Sequence, residues 1–393
     1  MSRDVAILGA GMHPWGKWGK NFVEYGVAAA RAALADAGIH WREVGFVSGG
    51  ATMRCGYPGY VAGATIAQAL GWQGAEVNTS YAACASGSQA LAAAREKILS
   101  GACEVALVVG ADTTPKGFLK PAGGERPDDP DWVRFRLGIT NPTYFALYAR
   151  RRMALYGDTP EDFAAVKVKN AAHGLHNDNA RYRKAFTAED VAASAMVADP
   201  LRLMDICATS DGGAALIICS LDYAKRLGKG DAPRIAAIST VTPTFASELV
   251  EMPDIATDSA VAADPQAFRA ALPKKAYEEA GLGPEDIDLA EVYDLSTALE
   301  LDWIEDLGLC ERGQAAALTR AGDTRVGGRM PVNASGGLAC FGEAVPAQAL
   351  MQVCELTWQL RGQAGGRQVE GARVGITANQ GLFGHGSSVI VRR

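Results

Sequence analysis

Apolar and polar positions along this chain follow two alternating periods. Val5–Leu8 is a short, continuously apolar run closed by Gly9-Ala10-Gly11, the pattern of a buried strand ending in a turn. Tyr25–Ala37 repeats small and apolar residues at helical spacing and meets Gly38, a residue type that terminates helices. Val44–Val47 reads as the next strand, Ser86–Ser100 as a helix stopped by Gly101, and Glu104–Val109 as another buried strand. β-Branched strands alternating with alanine-rich helices predict a layered α/β fold.

The pattern occurs twice. Ala33–Ile39 (ALADAGI), followed by Glu43-Val44, is matched by Lys275–Leu282 (KAYEEAGL), followed by Asp286-Ile287. With Ala37-Gly38 set on Ala280-Gly281, small and apolar positions keep register into the following strand. Each half also supplies a Gly-rich turn, a helix and a strand: CASGSQAL…EVALVVGAD in the first, NASGGLAC…RVGITANQG in the second. A spacing of roughly 240 residues is too long for a solenoid and implies duplicated domains, whose interface is a natural place for a site. The expected organisation is a first half at 1–112 and 204–240, a second half at 241–393, and a loop domain inserted at 113–203. The insert is richer in Pro, Arg and aromatics, and functional insertions commonly take that form.

Composition narrows the function classes. With 393 residues, 48% hydrophobic and 21% charged, the chain suits two packed units of about 150–200 residues each. A net charge of −6 with dispersed lysines and arginines offers nucleic acid no basic field. No window approaches roughly 18 uncharged apolar residues, so no membrane span is expected. MSRDVAILGAG runs into the strand pattern without a leader, and a cytoplasmic protein is the expectation. Gly-Ala-Gly at 9–11 lacks the remaining spacing and distal acid of a dinucleotide fingerprint. The eight cysteines are scattered, with no CxxC pair and no Cys/His cluster at zinc spacing, so no metal is expected. A lone HxxH at His173 and His176 does not change that, and His13 and His40 read as structural.

One cysteine stands apart. Cys84 follows the strand-like VNTS and immediately precedes the helix from Ser86. A helix N-terminus stabilises a thiolate through its dipole and free N–H groups. Ala82, Ala83, Ala85 and Gly87 leave room for a substrate, although a small buried cysteine at a tight helix start fits the same spacing.

These segments together resemble the thiolase superfamily over nearly the full length. CASG resembles its nucleophile motif, and CATSDGGAAL (Cys207–Leu216) the segment closing its first half. NASGG (Asn333–Gly337) resembles its N-x-x-G-G loop, and NQGLFGHG (Asn379–Gly386) occupies the place of its final Gly-rich loop. The likeness is greatest to the sterol-carrier-type thiolases and lipid-transfer proteins. It implies a duplicated fold with α-β-α-β-α layers, an acyl-CoA substrate, coenzyme A as co-substrate and no permanently bound cofactor. It also implies a homodimer core and, by likeness to divergent thiolases such as benzoylsuccinyl-CoA thiolase, a small zinc-ribbon/OB-fold accessory subunit.

By resemblance, Cys84 is the nucleophile, its N–H and that of Gly381 hold the tetrahedral oxyanion, and Asn333, Gly336 and Gly337 border the substrate. The chain departs from the family pattern in three places. In EVYDLST (Glu291–Thr297), Tyr293 replaces the histidine and Leu295 the second cysteine of an H-D-C-F motif; Glu343 replaces the histidine of a G-H-P motif. Tyr293 is therefore expected to donate to an enolate oxygen, Glu343 to act as acid or base, and His385, in a Gly-rich loop, to serve as base to Cys84. A tyrosine that merely ties a loop, a helix N-terminal carboxylate and a turn histidine are the respective alternatives.

The insert's Arg126, Arg134, Arg136, Arg150, Arg151, Arg152, Lys167 and Lys169 could meet CoA phosphates or simply form a solvated face. Trp15, Trp18, Tyr57 and Tyr60 offer aromatic surface. Three activities remain open: thiolysis of a bulky or branched β-oxoacyl-CoA (benzoylsuccinyl-CoA being one), retro-aldol cleavage of a β-hydroxyacyl-CoA, and non-catalytic acyl-CoA binding.

Overall fold

The computed structural model describes residues 4–51, 62–114, 141–242, 268–381 and 385–393. Tyr57, Tyr60, Arg126, Arg134 and Arg136 lie outside them. The strands are β1 (Val5–His13), β2 (Phe46–Gly50), β3 (Glu76–Ser80), β4 (Val105–Asp112), β5 (Met196–Ala198), β6 (Leu201–Arg202), β7 (Gly212–Ser220), β8 (Arg234–Val241), β9 (Leu289–Glu291), β10 (Val374–Thr377), β11 (Asn379–Gly381) and β12 (His385–Arg392). The helices are α1 (Phe22–Ala37), α2 (Ala62–Leu70), α3 (Ser86–Leu99), α4 (Asn141–Tyr156), α5 (Pro160–Gly174), α6 (Ala188–Ala193), α7 (Leu221–Arg226), α8 (Phe268–Ala280), α9 (Thr297–Asp306), α10 (Ala315–Ala321), α11 (Gly337–Phe341) and α12 (Val345–Leu360).

The duplication is visible in the strand order. The ladder runs β3-β2-β4-β7-β1 and continues β8-β12-β10-β9, so β8, β12, β10 and β9 repeat β1, β7, β4 and β2 in mirror order. Among the described residues, the ladder between the two half-sheets pairs Val5 with Ile235 and Ala6 with Arg234. Both helix–strand units end alike. Gly38 (φ 68°) and Gly281 (φ 65°) close α1 and α8 in the left-handed region, a short 3-10 turn follows each, and then β2 or β9 begins. α1 starts three residues earlier than the sequence pattern predicts, because Asn21 caps it and Glu24 returns the bond. The strand expected at Val44–Val47 runs Phe46–Gly50 instead, after Val44 is used to close the 3-10 turn.

The layers form as predicted. α1 and α2 cover the outer face of the first half-sheet and α8 that of the second, while α3 and α12 fill the space between. α12 is buried along every residue except Trp358, as a central layer requires. Its first turn lies very close to α3 and β4. A Cβ on Gly110 would sit 2.0 Å from the Pro346 carbonyl oxygen, and one on Gly87 2.8 Å from it. Asp112, at the end of β4, accepts from Val345 N at 3.2 Å and so fixes the start of α12. Glycine at 87 and 110 thus sets how near the segment before α12 can come to the start of α3.

The second-half loops are braced by buried carboxylates. Glu291 accepts from Ser335 N (3.0 Å) and Ser335 Oγ (2.5 Å); Asp294 accepts from Leu338 N (2.7 Å), Ala339 N (3.1 Å) and Asn170 Nδ2 (3.0 Å). Glu300 accepts from Lys169 Nζ (2.6 Å), Asn170 Nδ2 (2.6 Å) and Asn333 Nδ2 (2.7 Å). These bonds tie α5 of the insert to α9 and to the turn before α11. Burial, and then the neighbouring Glu355 charge, pushes Glu291 up to about 8; burial, and then Glu300, pushes Asp294 up to about 8.

Both groups hold a proton in the fold that an exposed carboxylate would release. Their contribution to stability is complete below the ordinary carboxylate range and declines as pH rises through about 8. The thermal midpoint measured by calorimetry should therefore fall steadily from pH 5 to pH 9, and Glu291→Gln should flatten that slope. A midpoint constant over this window would contradict the assignment.

Candidate active site

Cys84 sits on a turn held from both sides. Ala83 adopts φ 47°, a conformation that costs a non-glycine residue about 1–2 kcal/mol. The buried Ser86 hydroxyl locks the turn by accepting from Ala82 N (2.9 Å) and donating to the Ala83 carbonyl (2.6 Å). Strain stored at one residue before a reactive side chain is a recurrent feature of functional sites. The sulfur stands two residues ahead of α3, at its positive end.

Glu343 reaches Cys84 from the second half. Cys84 Sγ donates to Glu343 Oε1 at 3.2 Å, and both residues are buried. The glutamate backbone is clamped in turn: Glu343 N donates to the Ala208 carbonyl (2.7 Å), and Ser210 N to the Glu343 carbonyl (2.9 Å). Tyr293 completes the group. It is buried beside Cys84, and its hydroxyl is pushed well above its ordinary pKa, first by burial and then by electrostatic interaction with Cys84 and Glu343. Such a phenol stays protonated and keeps a hydrogen-bond donor at the site. Nucleophile, proton acceptor and neutral donor therefore converge on one sulfur.

Gly381 and His385 bring the last loop to the same turn. A Cβ on Gly381 would lie 2.3 Å from the Ala82 carbonyl oxygen and 3.2 Å from Cys84 N, so only glycine allows that approach. β11 is held there by α12, since Asn379 Nδ2 donates to Gln352 Oε1 at 3.2 Å. His385 pairs directly with Gly381 across β11 and β12 and is half-buried.

Asn333, Gly336 and Gly337 lie in the brace around Tyr293 and Glu343. Asn333 (φ 52°) accepts from Val292 N with Oδ1 (2.8 Å), donates to Glu300 through Nδ2, and accepts from His173 Nδ1 at its carbonyl (2.9 Å). Gly336 packs on Gly174 of α5, and Gly337 on the Asp294 carboxylate. His173 is engaged with protein: burial first, and then Lys169, lowers it to about 3, and its Nε2 accepts from Val326 N. Lys167, Lys169 and Arg152 are also engaged with protein, through the Ala339 carbonyl, through Glu300, and through Asp158, Asp302 and Glu305. Arg150 pairs with Asp199 at the surface. Trp15 is buried edge-on to Phe341, whereas Trp18 is exposed.

The sequence marks Cys207–Ser210 only as part of a family motif and assigns it no site role, yet it packs against the site's second-half residues. Ile206 bridges Ser296, Cys207 N donates to the Leu295 carbonyl (2.9 Å), and Thr209 bridges Glu343. Cys207, Ala208, Thr209 and Ala83 are half-buried, more exposed than the buried Cys84, Tyr293 and Glu343 beside them. The signal available beforehand was a second cysteine inside the CATSDGG motif. Among the described residues, no group of three or more His, Cys, Asp or Glu side chains could hold a metal ion, and no helix is long and apolar enough to cross a membrane.

Comparison with known proteins identifies the family. Residues 244–393 match the family model described as thiolase C-terminal domain-like, and residues 42–120 that of the beta-ketoacyl synthase N-terminal domain. An acetyl-CoA acetyltransferase of Methanothermobacter thermautotrophicus is 34% identical, covering 98% of each chain. The benzoylsuccinyl-CoA thiolase subunit BbsB of Thauera aromatica is 29% identical over 94% of this chain and 92% of its own. Among solved structures, an Ltp2-ChsH2(DUF35) aldolase superposes with a TM-score of 0.79 at 26% identity, covering 99% of this chain and 98% of that one. Duplicated halves, a cysteine at the start of the central helix and full-length kinship converge: the chain belongs to the thiolase superfamily and is an acyltransferase of the thiolase type.

Proposed function

We propose that the protein cleaves a bulky or branched β-oxoacyl-CoA by thiolysis, through an acyl-Cys84 intermediate. The observation that carries this reading is the Glu343 carboxylate 3.2 Å from the Cys84 sulfur, with the buried Tyr293 hydroxyl beside them. Glu343 accepts the thiol proton as Cys84 attacks the β-carbonyl. The Cys84 N–H and the adjoining Gly381 backbone stabilise the tetrahedral oxyanion, and Tyr293 donates to the enolate oxygen of the departing thioester. Coenzyme A then takes the acyl group from Cys84. His385 borders the oxyanion site from the strand opposite Gly381. The kinship to BbsB supports a substrate of the benzoylsuccinyl-CoA kind.

Retro-aldol cleavage of a β-hydroxyacyl-CoA is a second reading, supported by the likeness to the Ltp2-ChsH2(DUF35) aldolase and by the tyrosine at the sulfur. That aldolase is named for two components and BbsB as a subunit, which supports a small zinc-ribbon/OB-fold partner here. β3 ends the described ladder, and exposed Trp72 and Tyr81 flank it, features that support a homodimer formed along that edge.

Mass spectrometry after incubation with a β-oxoacyl-CoA should find an acyl group on Cys84. Cys84→Ala should abolish thiolysis; retro-aldol activity surviving in that variant would favour the second reading. Glu343→Gln should slow acyl transfer to Cys84 about 10²–10⁴-fold, the range of a positioned acid/base. The same variant should not slow alkylation of Cys84 by iodoacetamide, because loss of the adjacent negative charge favours the thiolate. Undiminished acylation in Glu343→Gln would remove the carboxylate from the mechanism. Purification from the native host should bring down a small zinc-containing protein; a fully active homodimer without one would exclude the obligate partner.

A further inference from the structure

The proposed cleavage leaves one proton unassigned. In that reading Glu343 takes up the proton of Cys84, 3.2 Å away, and the Tyr293 hydroxyl, its pKa raised, donates to the enolate oxygen. The carbon released when the Cα–Cβ bond breaks carries the bond's electron pair and needs a proton from elsewhere. The side chain opposite Leu295 can provide it. Ile206 and Ser296 form an antiparallel bridge, and the 2.9 Å bond from Cys207 N to the Leu295 carbonyl continues that register. Side chains directly opposed in such a pair share a face, about 5 Å apart at Cβ. Two residues on, Thr209 bridges Glu343, whose own side chain reaches Cys84. Alternation along an extended segment returns Cys207 to the face that Thr209 shares with Glu343. Cys207 is also near enough to Tyr293 to act on it electrostatically, and it is half-buried and outside any disulfide.

We infer that Cys207 is a second catalytic thiol, which exchanges a proton with the α-carbon of the acyl-CoA; this rests on the thiolase reading above. During cleavage, the Cys207 S–H protonates the enolate carbon and becomes a thiolate. That thiolate takes the proton of the incoming coenzyme A thiol, whose sulfur attacks the acyl group. Cys84 leaves with the electron pair of its S–acyl bond and recovers its proton from Glu343. Both thiols and the carboxylate end as they began, and no redox step occurs. In the reverse direction, the Cys207 thiolate removes an α-proton from an acyl-CoA.

The α-proton exchange tests this directly. The full-length protein, wild type and Cys207→Ala, is incubated in D2O with acetyl-CoA and, separately, succinyl-CoA, while deuterium entry at the α-carbon is followed by mass spectrometry. Acylation of Cys84 from the same thioesters is followed in parallel. Wild type should exchange, and Cys207→Ala should exchange about a hundredfold or more slowly, as for loss of a positioned acid/base, with Cys84 acylation preserved. Cys207→Ser, nearly isosteric, should show the same split, which a merely structural role would not give. Exchange at the wild-type rate in either variant, or none in a wild type that acylates Cys84, overturns the inference alone. A wild type in which Cys84 is never acylated removes the thiolase reading and this one with it.

Discussion

A thiol and a carboxylate drawn from opposite halves of a duplicated chain meet in the interior at 3.2 Å, and the rest of the molecule is arranged around that contact. Neither charge is tolerable there alone, since an isolated buried ion costs several kcal/mol even after relaxation (about that order). Set side by side in a space of low polarisability, they can pass a proton with little reorganisation. The glycines at 87 and 110 admit the segment before α12 to this distance, and Asp112 holds it there.

The second half contributes more than Glu343. Tyr293 lies between Glu291 and Asp294, whose carboxylates grip the turn at Ser335 and the start of α11, and α11 leads within a few residues to Glu343. Phenol and carboxylate are thus parts of one braced unit. Lys169 and Asn170 of the insert close it, so the inserted helices position the chemistry without touching it.

Much of this was legible in the sequence, for definite reasons. The duplication was readable because Ala37-Gly38 and Ala280-Gly281 mark the same helix end, a local requirement for a left-handed residue. Cys84 was legible because a strand, a turn of small residues and a helix leave few places for a reactive sulfur. Tyr293 and Glu343 came only through resemblance, since nothing local distinguishes them from packing residues. The role of Asn333 as a brace was not visible, because its partners Val292, Glu300 and His173 are distant in sequence. Cys207 was overlooked for the same reason: its position opposite Leu295 depends on strand register, which no composition or period records.

Among the described residues, the ladder at the seam between the half-sheets is two residue pairs long, Val5 with Ile235 and Ala6 with Arg234. A backbone ladder that short sets the relative attitude of the halves only loosely, so their alignment is carried by the thickness of the helical filling between them. α3 and α12 act as a spacer of fixed gauge. A methyl group added or removed in that filling would tilt one half against the other, and the displacement would be read out at the far end as a change in the gap between sulfur and carboxylate.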